Sequence, residues 1–430
     1  MSNINNVSAP QYSLKGYIGY TFNFSDPEAT ASDQVARAAA LPANIALTAG
    51  VIAYHAITTA PASLGGCSCL PNPIPEPKKD AGAVRTIDAG PGDAGPGDTG
   101  AICDAGFIQY SCDPDGDGII TDKFTGVNFR NAILEALGKG PNDDITLQDA
   151  LNITTLDLNG RNIYDLSGIE CFTNLTSLTL DNNQISDITP LEGLTNLTTL
   201  RLTSNQISSI TPLANLTNLT MLGLYSNQIS SITSLAGLTK LTELWLGHNQ
   251  ISSITPLAGL TKLTELWLDY NQISSITPLA NLTDLTMLGL YSNQISSITP
   301  LAGLTKLTEL WLDYNQISSI TPLANLTDLT VLGLYSNRIS SITPLANLTD
   351  LTELWLGYNP LADITPLARL TELTELWLDN NQITDIIPLI DNAINGGLGS
   401  GDEVSLQSNP QIPPSQIARL RAEGVTVYWP

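Results

Sequence analysis

From Ile153 to Leu389 the apolar and polar positions recur every 22 residues, as L-T-x-L-x-x-L-x-L-x-x-N-x-I-S-x-I-x-P-L-x-x. A fixed period of this length predicts a solenoid, because a unit this short cannot bury its own apolar face and must stack on its neighbours. In the unit from Leu263 to Leu285, Leu266 and Leu268 alternate with Trp267, as in a strand with two faces. The leucines belong to the core and Trp267 points out of it. Ile273, Ile276, Leu279, Leu282 and Leu285 fill the rest of that core. Pro278 suits a return path without regular helical hydrogen bonds. So short a unit leaves room for 3-10 or extended segments on the convex side, not full α-helices.

Asparagine occupies the bend after the strand in ten consecutive units, from Asn183 to Asn381, and is Arg161 in the first. Its amide both donates and accepts, so stacked asparagines can satisfy backbone groups left open at each bend.

The phrase LxxLxLxxNxI is the mark of leucine-rich repeats, and the form with I-x-P-L is similar to the internalin-type bacterial subfamily. The opening FRNAILEALGK and ITLQDALNITTLDLNGRNIYDLSGIE resemble the helical cap of that class. The resemblance covers about residues 124–430. It implies an α/β leucine-rich repeat solenoid with a curved parallel sheet on the concave face, short 3-10 or extended convex segments, and caps at both ends. It also implies a bacterial surface or secreted binder that grips a protein on the concave sheet. The phosphatase-regulating intracellular scaffolds with repeats of the same length are the alternative, with a cytoplasmic location.

Outside the repeats the pattern changes. Residues 1–70 form an unassigned N-terminal segment. From Ala38 to Pro75 it carries no charge, and Leu64-Gly65-Gly66-Cys67 resembles a lipoprotein signal in which Cys67 is lipidated. Residues 71–112 are a Pro/Gly/Asp-rich linker that cannot bury enough surface to fold alone. Cys103 and Cys112 bracket a short loop within it, a candidate disulfide in an oxidising compartment. Cys171 falls in an apolar repeat context and reads as an inert core residue.

Residues 113–152 combine an acidic loop with a helical cap. Asp113, Asp115 and Asp117 stand at alternate positions before Gly118, with Asp122 beyond, which is the front half of a calcium loop. Position twelve is Phe124 instead of glutamate, so a solvated acidic turn is the competing reading. Val127, Phe129, Ile133, Leu134 and Leu137 share a helical face. Thr146 and Asp149 predict a capping box. The repeats occupy 153–398 and a C-terminal cap 399–430, with a helix from about Pro414 to Glu423 and a closing strand.

Composition narrows the function. The chain carries a formal charge of −24, and the repeats from 153 to 391 hold 7 basic against 21 acidic residues. Such a surface repels nucleic acid and anionic lipid, leaving a lipid anchor as the route to a membrane. The outward strand positions include Trp245, Trp267, Trp311, Trp355 and Trp377. Glu243, Glu265, Glu309, Glu353 and Glu375 lie two residues earlier, and Asp269, Tyr291, Asp313 and Tyr335 two residues later. Trp and Tyr anchor protein interfaces, and carboxylates beside them favour Lys or Arg on a partner. Stacked rings also suit sugars. The competing readings are mutual packing of the rings and simple duplication, since 259–302 and 303–346 differ only at Met287/Val331 and Gln294/Arg338.

Catalytic chemistry is sparse. Residues 396–401 form a glycine-rich loop without a phosphate-binding lysine, and the histidines, His55 and His248, are far apart in sequence. The expectation is a non-enzymatic protein that requires no cofactor. Oligomeric state is open.

Overall fold

The computed structural model describes residues 112–113, 116–409 and 411–429. Cys67, Cys103 and Asp115 lie outside the described residues, as do the N-terminal segment and almost all of the linker. Among the described residues no helix is long and apolar enough to cross a membrane.

Thirteen strands of three residues each form one parallel sheet in chain order. They are β1 (Thr155–Asp157), β2 (Ser177–Thr179), β3 (Thr199–Arg201), β4 (Met221–Gly223), β5 (Glu243–Trp245), β6 (Glu265–Trp267) and β7 (Met287–Gly289), then β8 (Glu309–Trp311), β9 (Val331–Gly333), β10 (Glu353–Trp355), β11 (Glu375–Trp377), β12 (Glu403–Ser405) and β13 (Thr426–Tyr428). The register is in phase with the repeat, so that Leu244 pairs with Leu266 and Trp245 with Trp267. Opposite the sheet, short 3-10 turns such as Thr277–Asn281 carry the return path, with proline in the first turn where its missing N–H is harmless. One continuous core of leucine and isoleucine runs between the two layers, and its central members are fully buried. Each such side chain contributes roughly 1.5–3 kcal/mol.

The asparagine column joins the coils. Asn293 Nδ2 donates to Leu268 O at 3.0 Å in the preceding coil and to Leu290 O at 3.1 Å in its own, while Oδ1 accepts the Ile273 amide at 3.0 Å. The same set recurs at Asn271 and Asn315. A threonine column at the strand entry adds a second ladder, with Thr264 Oγ1 donating to Thr242 O at 3.1 Å.

Two helices cover the first coil. Helix α1 (Val127–Ala136) buries Phe129, Ile133 and Leu134, whereas Val127, expected on the same face, is 64% exposed at its first turn. Helix α2 (Leu147–Asn152) opens on the predicted capping box, Thr146 Oγ1 accepting the Asp149 amide at 3.1 Å. Arg161, the exception in the asparagine column, turns outward and forks onto Glu135 at 2.7 and 3.1 Å, tying the first coil to α1.

The cysteines are paired differently from the sequence expectation. Cys112 bonds to Cys171, with Cα atoms 5.5 Å apart, and not to Cys103. Cys171 ends the first convex turn, Ile169–Cys171, and is thereby a covalent tie and not an inert core residue. Sequence proximity favoured Cys103, but the fold brings residue 171 back to the cap across 59 positions. Closing a loop of that length stabilises by about 4 kcal/mol.

At the far end the last repeat departs from the pattern. Helix α3 (Ile387–Ile394) replaces the 3-10 turn. Its fully buried Asn392 donates to Leu367 O and Leu370 O at 2.9 and 2.8 Å and accepts the Leu398 amide. Helix α4 (Pro414–Ala422) and β13 close the sheet as predicted.

Replacing Asn293 with alanine strands the buried Ile273 amide, while Leu268 O and Leu290 O each lose one of two donors and keep Asn271 and Asn315. Urea denaturation should show a loss of about 1–3 kcal/mol, the cost of one orphaned buried amide, while Gln294→Ala, outside this ladder, should change little.

Candidate functional site: the concave aromatic–acidic face

Three rows of outward side chains cross the strands, and each is set by position within the repeat. The first strand residue is Glu in β5, β6, β8, β10, β11 and β12, and Met or Val in β4, β7 and β9. The third is Trp in β5, β6, β8, β10 and β11, and Gly in β4, β7 and β9. The position two residues further lies past the strand. All five tryptophans are part-buried, facing out of the core.

The indoles lean instead of standing upright. A Cβ added at Gly289 would sit 2.3 Å from Trp267 Cε3, so Trp267 lies over that glycine. Trp311 meets Trp355 across β9 with ring centroids 4.6 Å apart at 61°. Glycine here serves space and not an unusual φ. The indole N–H groups fix the glutamates: Glu265 Oε1 accepts from Trp245 at 2.9 Å and from Trp267 at 2.7 Å, and Glu375 Oε1 from Trp377 at 2.6 Å. Trp245, Trp267 and Trp377 are thus coupled to glutamate, whereas the indole N–H groups of Trp311 and Trp355, whose rings pack together, are buried without a hydrogen-bond partner.

The carboxylates stand in like-charged neighbours, Glu243 beside Glu265 and Glu353 beside Glu375. Burial first, and then the Glu375 and Glu309 charges, push Glu353 up to about 7. Burial raises Glu309 and Glu375 as well, at Glu375 against the lowering effect of its Trp377 bond. Burial and then the charge of Glu265 raise Glu243. None of the ion pairs among the described residues reaches Glu243, Glu265, Glu309, Glu353 or Glu375.

Asp269 and Asp313, placed by sequence on the ligand surface, are buried, only 3% and 6% exposed. The strand ladder explains their position. Asn337 Nδ2 takes Leu312 O at 2.9 Å, the carbonyl that the Tyr335 amide would otherwise use, and Asp313 Oδ1 accepts that amide at 2.7 Å. Asp181 does the same for Thr203 at 2.7 Å. Aspartate at this position completes the backbone where the asparagine ladder has displaced a partner. Desolvation pushes Asp269 up to about 8 and Asp313 up to about 7, overcoming their backbone bonds. The acidity of the face therefore rests on the glutamates.

Tyrosines form the third row. Tyr225 lies over Gly247 and Tyr335 over Gly357, each with a ring carbon 2.6 Å from where a Cβ would be. Tyr335 Oη donates to Asp379 at 3.5 Å. Tyr291 and Tyr335, placed here by sequence, are joined by the residue just before each asparagine, which is Tyr270, Tyr314 or Tyr358 in three coils. That position is left-handed in every coil, including His248 (φ 51), Tyr270 (φ 47), Tyr314 (φ 53) and Tyr358 (φ 55). A bulky residue there costs roughly 1–2 kcal/mol, offset by stacking: His248 on Tyr270 at 4.0 Å, Tyr270 on Tyr291 at 4.8 Å, Tyr335 on Tyr358 at 5.0 Å. Tyr314 and Tyr358 remain exposed. The signal was present in the sequence, as aromatic residues in a column otherwise made of serine and asparagine.

Arg201, an outward strand position, was given no role by sequence. Its guanidinium pairs with Asp181 at 2.7 Å and lies over the Trp245 ring, 5.4 Å from the centroid, spanning Gly223 of β4. Burial raises Asp181 even against this charge.

The acidic loop before α1 is folded on itself. Asp113 accepts the Gly116 and Gly118 amides at 2.9 and 3.0 Å, and Asp117 the Ile119 amide at 2.7 Å. Asp122 lies in the 3-10 turn Thr121–Lys123. Among the described residues no three His, Cys, Asp or Glu side chains cluster as metal ligands.

Comparison with known proteins follows this geometry. The family of leucine-rich repeats, in its two-copy description, matches residues 151–193, 195–237, 239–281, 283–325, 327–369 and 349–391. The chain belongs to the leucine-rich repeat family and is internalin-like. It is similar to an internalin of Listeria monocytogenes at 36% identity, with a TM-score of 0.66 over 73% of this chain and 93% of that one. A leucine-rich repeat protein of Leptospira interrogans matches at 25% identity and a TM-score of 0.53, over 66% and 79%. A plant peptide hormone receptor, solved in complex with RGF2, shares the fold at 22% identity and a TM-score of 0.53, over 66% and 53%. No curated protein matches.

The buried aspartates give a pH signature. Their folded values lie above the ordinary 3.8, so the folded state binds protons that the unfolded chain releases, and stability falls as pH rises towards about 8. His248, lowered by burial to about 4, acts oppositely and only below its ordinary 6.5. Unfolding free energies from urea denaturation should therefore drop between pH 6.5 and about 8, by up to about 1.4 kcal/mol per pH unit for each carboxyl still protonated, and level off above. Asp269→Asn with Asp313→Asn should flatten that slope.

Proposed function

We propose that this chain is an exported, non-enzymatic binding protein of a bacterial surface, which holds a protein partner on the concave aromatic–acidic face. The observation that carries the reading is Arg201 seated on Trp245 and Asp181, for here the face already binds a guanidinium by the contacts a basic partner would use. Continuity of the sheet supports it too, since strands about 4.8 Å apart make the rows of Trp and Glu one surface some tens of ångströms long. The Cys112–Cys171 bond supports an oxidising compartment. Likeness to a bacterial internalin points the same way. Lipidation at Cys67 would tether the repeats through the Pro/Gly/Asp-rich linker, and calcium at the 113–122 loop would stiffen its junction with the cap.

Replacing Trp267, Trp311 and Trp355 together with serine should abolish partner capture by the immobilised full-length chain, with far-ultraviolet circular dichroism unchanged. Capture that survives in a folded variant places the binding surface elsewhere. A soluble product that remains in the cytosol on fractionation favours the intracellular scaffold instead.

A further inference from the structure

The aspartates two residues past the strands are not equally satisfied. Asp181, after β2, accepts the Thr203 amide on Oδ1 at 2.7 Å and Arg201 Nε on Oδ2 at 2.8 Å. Asp313, after β8, accepts the Tyr335 amide at 2.7 Å. Asp269, after β6, is only 3% exposed, and its Oδ1 is buried without a hydrogen-bond partner. A buried acceptor left open is costly and marks a place where a donor is missing. Glycine sets where that oxygen points. Oδ1 stands 2.6 Å from where a Cβ on Gly289 would sit, and Oδ2 3.2 Å from where one on Gly247 would sit. Asp269 thus has bare backbone on either side, roofed by the Tyr225 ring over Gly247 and the Trp267 ring over Gly289.

The repeat shows which donor is missing. Arg201 is the third residue of β3 and stands 20 positions after Asp181. Gly289 is the third residue of β7 and holds the same place relative to Asp269. The earlier coil supplies a guanidinium from its own chain, and this coil supplies only glycine. The wall is matched as well. Arg201 lies over the Trp245 ring, 5.4 Å from its centroid. At Gly289 the ring is that of Trp267, whose N–H is held by Glu265 at 2.7 Å. On the far side Trp311 is engaged with Trp355. An entering guanidinium has to tilt the Trp267 ring off Gly289, and the ring then walls the slot as Trp245 walls the first. A guanidinium stacks flat on an indole and bonds a carboxylate through its planar fork, whereas an ammonium is a point charge that does neither.

On the concave-face reading above, we propose that the slot over Gly289, walled by Trp267 and floored by Asp269 Oδ1, seats an arginine side chain of the protein partner, in the place that Arg201 fills four coils earlier. Such binding carries a pH signature. Burial, against its backbone bonds, and then the charge of Asp313 push Asp269 up to about 8. The other groups around it stay neutral in this range, since Tyr225, Tyr270 and Tyr291 are raised above the ordinary tyrosine value and His248 is lowered to about 4. An arginine that pairs with Asp269 therefore expels a proton, and its affinity rises with pH until the carboxyl is ionised.

The test titrates the full-length chain by calorimetry, at fixed salt, with two capped tripeptides of equal charge, Gly-Arg-Gly and Gly-Lys-Gly. The arginine peptide should bind about tenfold more tightly than the lysine peptide. Its affinity should rise by up to about tenfold per pH unit from about pH 6 to about 8 and level off above. Asp269→Asn, which keeps the shape of the neutral carboxyl, should abolish both the preference and the slope, while Asp313→Asn should keep the preference. Equal affinity for the two peptides, absence of binding, an affinity indifferent to pH, or a preference unchanged in Asp269→Asn each overturns the proposal. The pH slope is read on the unaltered chain, so it decides even where a variant does not fold. Failure here is separable from failure of the concave-face reading. That reading stands if the triple tryptophan variant loses its captured partner, whatever these peptides do, and falls only if capture survives.

Discussion

Everything in this molecule depends on the stacking of coils that cannot stand alone. A coil of this length has one three-residue strand and one short turn, and neither encloses a core. The asparagine column makes the stacking directional. Each amide binds carbonyls of its own coil and of the one before, and accepts an amide of the one before. Leucines supply the bulk of the free energy, but they would tolerate slippage. The asparagines fix the register, and with it the alignment of every outward side chain.

That register creates the face and also taxes it. The asparagine occupies a carbonyl that a longer parallel ladder would have used, so an amide is left over at the edge of the strand. Aspartate recovers it at Asp181 and Asp313. The left-handed residue before the asparagine then lifts the chain into its turn, and aromatic residues accept that strain where they stack. Binding surface and backbone repair are therefore interleaved residue by residue. Duplication spread both together, which is why equal copies of Trp, Asp and Tyr hold different roles.

Much of this was legible in the sequence. The period gave the parallel sheet and the convex turns, because leucine spacing and the asparagine bend allow little else. The capping box at Thr146 and the closing helix at Pro414 were also plain, since both rest on local rules. Failures came where contacts are distant or shared. Aspartates two residues past the tryptophans were assigned to the surface by alternation alone, but the chain leaves the strand there and buries them. The Cys112–Cys171 bond joins positions 59 apart and has no local signal. Arg201 was an isolated basic residue until the fold laid it across Gly223 onto Trp245. The helix at Ile387–Ile394 follows from an apolar run that the repeat pattern had absorbed into an ordinary turn.

The central claim is that the Trp and Glu rows are the ligand surface and not merely sheet packing. Oxidative footprinting of the full-length chain, alone and saturated with its partner, tests this residue by residue. The account predicts protection of Trp267, Trp311 and Trp355 on binding, with Trp429 of the C-terminal cap unchanged. Unaltered oxidation of the concave tryptophans, with protection instead along convex turns such as Thr277–Asn281, would contradict it.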